Sequence, residues 1–219
     1  MDFIDIPTEQ TTAITDIILG IGALVLAIYI FKLGTKTDGT KGRIWAGAFL
    51  LLSVASIIGA FAHGLQMSER VNTILWHLLN LALGLTIALF AAGVVYDLKH
   101  YSLPKWVLPA FLGMGVVFFL ITLLIPGTFL IFILYEAVAL LFALTTYIIL
   151  STKGAVKGAF LMASGILVTI IAAALQATGS IHFTLIWEFD HNGVFHVVQL
   201  IALVFFLVGL QKDLSGRKR

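Results

Sequence analysis

Residues 107–125, VLPAFLGMGVVFFLITLLI, carry no charged side chain over 19 consecutive positions. A stretch of about this length crosses the hydrocarbon core of a bilayer as an α-helix. The whole chain of 219 residues shares this character, since 60% of its residues are hydrophobic and 11% are charged. A soluble domain carries about 25% charged residues. The composition therefore excludes a water-soluble globule and favours a membrane protein.

Seven apolar runs of similar length follow one another, separated by charged or glycine- and proline-containing breaks. Transmembrane β-strands would be about half as long and would alternate polar and apolar residues. We therefore predict an all-α polytopic membrane protein with one seven-helix domain over residues 1–219. The predicted spans lie near residues 12–33, 44–65, 71–96, 104–125, 127–150, 154–178 and 187–211.

Composition also narrows the possible partners. The chain has no cysteine, which excludes disulfides and thiolate metal ligands. A formal net charge of +2 does not indicate a nucleic-acid partner, and membrane lipids are the expected ones. The acidic N-terminus, MDFIDIPTEQ, has no basic region before its first apolar run, so we expect no cleavable signal peptide and a retained first helix.

The basic residues predict an orientation. With seven spans, the segments that follow spans one, three, five and seven lie on one side and hold 12 of the 13 basic residues. Arg70 lies on the other side. The positive-inside rule therefore predicts an N-terminus outside and a C-terminus in the cytoplasm. We expect the membrane to be a bacterial or archaeal cell membrane. The 12 residues are Lys32, Lys36, Lys41, Arg43, Lys99, Lys105, Lys153, Lys157, Lys212, Arg217, Lys218 and Arg219.

A layer of polar side chains is predicted near the outer face. Charged residues mark the inner end of each span, and about 20 helical residues cross the membrane from there. At about that distance, six of the seven spans carry a polar side chain, so these side chains are expected at a similar depth. Polar groups inside a bilayer are costly and usually functional. Within the six spans these groups are Asp16, His63, His77, Glu136, Gln176 and Asn192.

The outer histidines are candidate metal ligands. Imidazole nitrogen is the commonest nitrogen ligand for zinc, iron and copper. His63, His77 and His196 lie on three different spans and could converge on one ion. His191 and His196 lie about 140° apart on a regular helix, so both could meet one ion only at a distorted helix start.

The stretch DHNGVFHV, residues 190–197, resembles the last-helix motif of the CREST superfamily, which includes alkaline ceramidases, GPI-remodelling lipid hydrolases and the progestin and adipoQ receptors. Members have a seven-helix core and an H-x-x-x-H pair with an aromatic residue before the second histidine. The family's second helix carries S-x-x-x-H, where this chain has Gly59 and His63. An acidic residue in the family's third helix usually holds a water, and here Asn80 or His77 takes that position. The resemblance implies a divergent member with zinc bound by His63, His191 and His196.

Three departures from the family pattern stand out. Four residues, not three, separate His191 from His196. Ser56 lies one turn before the position of the family serine. The third span has no acid. These departures bear on hydrolysis more than on metal binding, because the acid orients the attacking water.

These features predict a zinc-dependent lipid hydrolase that cleaves an amide or ester bond of a lipid entering laterally. Asp190 could act as general base, but it could equally be the N-cap of the last helix. Glu136 could be an acid catalyst or a hydrogen-bond donor, and Asn80 is the third candidate catalytic residue. Two alternatives remain open: a metal-binding receptor-like or structural protein without hydrolysis, and a haem-binding electron carrier with paired axial histidines.

The four tryptophans are predicted to lie in interfacial belts, because each falls near the end of a predicted span. They are Trp45, Trp76, Trp106 and Trp187.

Overall fold

A computed structural model describes residues 2–125 and 129–216, without the side chains of residues 129 and 130. Seven α-helices and one short β-hairpin make up this part of the chain. The helices are α1 (Pro7–Lys36), α2 (Gly39–Gly64), α3 (Glu69–Leu98), α4 (Val107–Leu124), α5 (Phe129–Thr152), α6 (Ala159–Ala177) and α7 (His191–Ser215). The antiparallel strands β1 (His182–Thr184) and β2 (Glu188–Asp190) lie between α6 and α7.

Each of the seven helices is long and apolar enough to cross a membrane, which is consistent with an integral multi-pass membrane protein. The predicted helix count and helical class are therefore confirmed. The predicted start of the fifth span at residue 127 lies outside the described residues, as do the predicted inner cations Arg217, Lys218 and Arg219.

Polar side chains begin several helices. Asp38 accepts the backbone N–H of Lys41 at the start of α2, and Asp190 accepts the backbone N–H of Gly193 at the start of α7. Such N-caps satisfy amide groups that have no partner within the helix. Because Asp190 caps α7, the helix begins at His191, four residues after the start predicted near residue 187. Residues 188–190 form strand β2 instead.

Short connections, such as residues 37–38 between α1 and α2, make these neighbouring helices antiparallel. Each helix in the series packs on the next from α1 to α4 and from α5 to α7, and α7 packs on α1. α5 packs chiefly on α6 and more lightly on α3, while α4 packs on α3. The helices thus define two ends. We call the end where α1, α3 and α7 begin the histidine end, and the opposite end the lysine end.

Glycine allows the closest helix approach, between α1 and α2. A Cβ atom on Gly34 would lie 2.4 Å from the Cα atom of Gly42, and a Cβ on Gly42 would meet Gly34 in the same way. Small residues at such positions let two helix backbones approach each other closely. This contact fixes the α1–α2 pair at the lysine end.

A buried ionic cluster lies at the lysine end. Lys41 Nζ lies 2.6 Å from both carboxylate oxygens of Asp97 and 2.8 Å from Asp213 Oδ2. The Tyr147 hydroxyl donates to Asp97 Oδ2 at 2.7 Å. Lys41 is 1% exposed and Asp97 is fully buried. The cluster joins α2, α3, α5 and α7, and from the sequence alone Lys41 was predicted only as one of the inner basic residues.

Trp45 corrects the prediction of interfacial tryptophans. It is fully buried and packs against Phe49 and Phe90, with ring centroids 6.2 and 5.1 Å away. Gly93 of α3 leaves room for the indole, since a Cβ there would come within 2.7 Å of it. Trp45 therefore belongs to the core between α2 and α3, whereas Trp106 and Trp187 are exposed.

The N-terminal segment lies over the histidine end. The backbone of Ile4 donates to Gly64 O, and Gln66 donates to Asp2 O. This pairing holds residues 2–6 against the end of α2. On the other side of this end, β2 packs on α1.

Candidate functional site

A cavity of about 600 Å³ lies inside the helix bundle. Six of the seven helices contribute to its wall, and α4 does not. Most of the wall is apolar, with phenylalanine and leucine side chains from α1, α2, α3, α5 and α7. The polar lining residues are Asp16, Ser56, His63, Trp76, Asn80, Thr86, Glu136, Thr169, Gln176, His191, Asn192, His196 and Gln199.

At the centre of the polar wall, α1 meets α7 through Asp16 and His196. Asp16 Oδ1 lies 3.3 Å from His196 Nε2, and both side chains are buried. The other ring nitrogen, Nδ1, lies 3.0 Å from Thr15 Oγ1. The Thr15 hydroxyl also lies 2.9 Å from Thr12 O, so Thr15 holds one side of the ring against the backbone of α1. The other nitrogen, Nε2, faces the Asp16 carboxyl group.

Gly59 of α2 makes space for the Asp16 carboxyl group. A Cβ at residue 59 would lie 2.7 Å from Asp16 Oδ2, which is closer than real Cβ contacts come. The absence of a side chain at this position thus lets the carboxyl group of α1 lie against α2. The resemblance places a serine at this position, and here an aspartate from another helix fills the space.

His63, near the end of α2, forms a second acid–histidine pair. Its Nδ1 lies 2.6 Å from Glu9 Oε2, and its ring packs edge-on against Trp76 at 5.3 Å between centroids. The lining of the cavity includes both His63 and Trp76. Glu9 thus holds one nitrogen of this ring in the way that Thr15 holds one nitrogen of His196.

Asp190 has a structural role in this arrangement. Its Oδ1 accepts from the Gly193 backbone N–H at 2.8 Å and from the Thr12 hydroxyl at 2.9 Å. Of the two predicted roles, N-cap and general base, the N-cap is the one observed. The hydrogen bond to Thr12 also fixes the start of α7 to α1, which positions His196 beside Asp16.

The remaining predicted residues occupy different places. His191, Asn80 and Glu136 line the cavity from three helices. His77 is half-buried on α3 but does not line the cavity, where the neighbouring Trp76 does. A polar pair completes the wall, because Gln176 donates to Asn192 Oδ1 at 2.9 Å.

The side chains of the site can be compared with the ligands and distances that a zinc ion requires. Within residues 2–125 and 129–216, no three histidine or acidic side chains come close enough together to hold a metal. One pair does suit zinc: ligands about 2.0–2.1 Å from a tetrahedral ion lie roughly 3.3 Å apart, the separation between His196 Nε2 and Asp16 Oδ1. Both His63 and His196 also have one ring nitrogen held by a hydrogen bond, as zinc-bound histidines do. These side chains are therefore of the types that bind zinc, and a third ligand would have to join the Asp16–His196 pair.

The sequence alone did not assign Glu9, Thr12 or Thr15 to the site, and it placed Asp16 in the predicted polar layer without giving it a role. A signal was present, because Glu9, Thr12 and Asp16 follow i, i+3, i+7 spacing and so share one helix face. This polar face at the start of α1 is the one that contacts α2 and α7.

The fold and the site together define a seven-helix protein of membrane type with an internal cavity that is polar at one end. A family described as a family of unknown function, DUF6962, matches residues 11–215, and the chain belongs to it. No curated protein and no solved structure matches the chain.

Proposed function

We propose that this protein is a zinc-dependent membrane hydrolase that cleaves an amide or ester bond of a lipid held in the cavity. The observation that carries the proposal is the Asp16–His196 pair, which lies on the wall of an otherwise largely apolar cavity of about 600 Å³. A cavity of this size is typical of small-molecule sites, and its apolar wall suits an acyl chain. The polar groups at the histidine end would receive the head of the lipid.

His196, Asp16 and His63 are the proposed ligands, with His191 as a further candidate on the same wall. When bound there, zinc would act as a Lewis acid and activate water as a nucleophile near neutral pH. Thr15 and Glu9 hold the two imidazole rings in place through their Nδ1 atoms. Ordered ring positions of this kind raise ligand affinity and fix the tautomer.

Asp16 has a second part in the proposal. With His196 Nε2 reserved for the metal, the Asp16 carboxyl group would accept a proton from water and return it to the leaving group. The resemblance expects an acid from helix three for the water, and α3 offers only the amide Asn80 at the cavity wall. A carboxyl group from α1 supplies this chemistry instead.

The lipid would enter sideways between α3 and α5. These two helices pack on each other more lightly than most neighbouring helices do, and residues of both line the cavity. Leu83 and Ile87 lie on the α3 side, and Phe132 and Ala139 on the α5 side. An acyl chain can therefore pass from the bilayer into the cavity with little loss of apolar contact.

We place the histidine end outside, with the N-terminus, and the lysine end in the cytoplasm. Every lysine and arginine in the described residues except Arg70 lies in or beside the lysine-end segments. This distribution follows the positive-inside rule. Cleavage would then occur near the outer leaflet of a bacterial or archaeal cell membrane.

Metal content of the purified protein tests the proposal directly. We expect one zinc per chain, lost in His196→Ala and in His63→Ala, and kept in His182→Ala, whose side chain lies exposed on the hairpin. Incubation with ceramide and with a phospholipid, followed by analysis of released fatty acid, tests cleavage. Absence of zinc after reconstitution with the ion, or its retention in both site variants, would overturn the ligand assignment.

A receptor-like or structural protein without hydrolysis is the second candidate. It is favoured by the pairing of His63 with Glu9 and of His196 with Asp16, which satisfies both histidines without a metal. Bound zinc without lipid cleavage would support this candidate. A haem electron carrier would instead show a Soret band in the visible spectrum.

A further inference from the structure

Two polar side chains face the cavity without partners. Gln199 of α7 is 6% exposed, and its Oε1 atom accepts no hydrogen bond. Glu136 of α5 lines the same cavity and has neither a hydrogen bond nor an ion pair within the described residues. A buried acceptor left without a donor is destabilising. This applies to Gln199 Oε1, which protein atoms enclose, whereas the Glu136 carboxyl group is accessible and can accept a donor from a molecule inside the cavity.

The cavity wall carries acidic side chains but no lysine or arginine within residues 2–125 and 129–216. Asp16 and Glu136 both line it, and its basic side chains are His63, His191 and His196 at the histidine end. A phosphate or carboxylate head group in a largely apolar cavity needs a cation or several donors. Beside Glu136 an anionic head would face a carboxyl group, whereas an ammonium or hydroxyl group can donate to that group.

We propose that the cavity binds amphiphiles whose polar head carries hydrogen-bond donors and no negative charge, and that it binds amines more tightly than alcohols. The ammonium or hydroxyl group donates to Glu136, and the chain lies along the apolar wall. This proposal rests on the proposed function for the site, and it names the class of lipid head that the site accepts. It requires no metal and no bond cleavage.

Three probes with one chain length test the selectivity: decylamine, decanol and decanoate. Each is measured by equilibrium dialysis against the protein in phosphatidylcholine nanodiscs treated with chelator, with empty nanodiscs subtracted. We expect decylamine to bind at least about tenfold more tightly than decanoate, since hydrogen bonds to a charged group contribute about 1.5–3 kcal/mol. Decanol should fall between them.

Variants assign the effect to Glu136. Glu136→Gln should weaken decylamine binding about tenfold and change decanol binding little, whereas Gln199→Leu should change both little. Glu136→Asp, which keeps the charge, should retain the preference for the amine. Glu69→Gln is the matched control, because Glu69 is exposed at the start of α3. Thermal unfolding of each variant shows that the fold is retained.

Decanoate binding as tight as decylamine binding would overturn the proposal, as would an unchanged affinity in Glu136→Gln. Failure of the proposed function has a different signature. Amine-selective binding without zinc or cleavage would overturn the proposed hydrolase function and support the proposed selectivity for amines. Zinc-dependent cleavage together with tight decanoate binding would overturn the selectivity and support the hydrolase function.

Discussion

Gly59 and Asp16 occupy one space between α2 and α1, where a Cβ on residue 59 would lie 2.7 Å from Asp16 Oδ2. The carboxyl group is at the end of a side chain that can move, so a substitution at residue 59 would displace Asp16 more readily than it would part the helices. Displacement of Asp16 would in turn break its 3.3 Å contact with His196. The glycine thus controls the geometry of the proposed site without contributing a ligand.

Gly59→Ala should therefore lower lipid cleavage by about 100-fold, because a misplacement of about 1 Å at a reacting group has effects of this size. The same substitution in an Asp16→Ala background should add little further loss, since the group that it displaces is gone. Rates of fatty-acid release from the four proteins measure the coupling. Gly113→Ala is the control, because a Cβ there meets nothing within 4 Å. Full activity in Gly59→Ala would contradict the assignment of Asp16.

Thr15→Val should weaken zinc binding by about 10–100-fold, the usual effect of removing the group that orients a ligating histidine. Valine has a similar shape and cannot accept from Nδ1 of His196. Competition with a chromophoric chelator measures the affinity. Thr11→Val serves as the control, since Thr11 is also buried in α1 but donates only to Pro7 O of its own helix. Equal losses in both variants would indicate a general effect on α1.

Lys41→Met should lower the free energy of unfolding by about 3–5 kcal/mol, because it leaves buried carboxyl groups without their cation. Asp97 would lose both of its hydrogen bonds to the lysine, and Asp213 would lose one. Unfolding in mixed micelles of increasing SDS content gives the measurement. Lys99→Met, at an exposed position near the end of α3, should change stability little. A change of similar size in both variants would show that the cluster is not stabilising.

Single cysteines should report the orientation, since the chain has none of its own. In intact cells a membrane-impermeant maleimide should label Ser180→Cys, which lies between α6 and β1 at the histidine end. It should label Lys153→Cys, between α5 and α6, only after the membrane is permeabilised. Both positions are exposed in the structure. The reverse pattern would invert the proposed orientation and place the site at the cytoplasmic face.

Much of the fold could be predicted because the bilayer imposes simple rules. Helix number follows from hydropathy and length, and all seven predicted spans correspond to helices. The start of α7 lies four residues beyond the one predicted near residue 187 because the hairpin tip is itself apolar: Leu185, Ile186 and Trp187 are 77%, 79% and 58% exposed. Hydropathy does not separate such a hairpin from the start of a span. Similarly, the position of Trp45 near a span end did not reveal that it packs inward against Gly93.

The candidate site was predictable residue by residue, but its pairings were not. His63, His191, His196 and Glu136 stand out because polar groups are rare in apolar spans. Glu9 and Thr15 do not stand out, since acidic residues and threonines are ordinary at the start of a helix. The partners of His63 and His196 come from α1, far away in sequence: Thr15 and His196 are 181 residues apart. Local spacing carries no information about such contacts.

The sequence by itself determined that the chain forms seven apolar helices, and it determined which few polar groups those helices carry, because both depend on side-chain type and local periodicity. The tertiary structure decided which of these groups meet. It set Asp16 against His196 through the space at Gly59, enclosed Lys41 between Asp97 and Asp213, and left Glu136 and Gln199 facing a cavity. These outcomes depend on how the faces of helices distant in sequence pack together, because a buried polar group is stable only with a partner that packing brings to it.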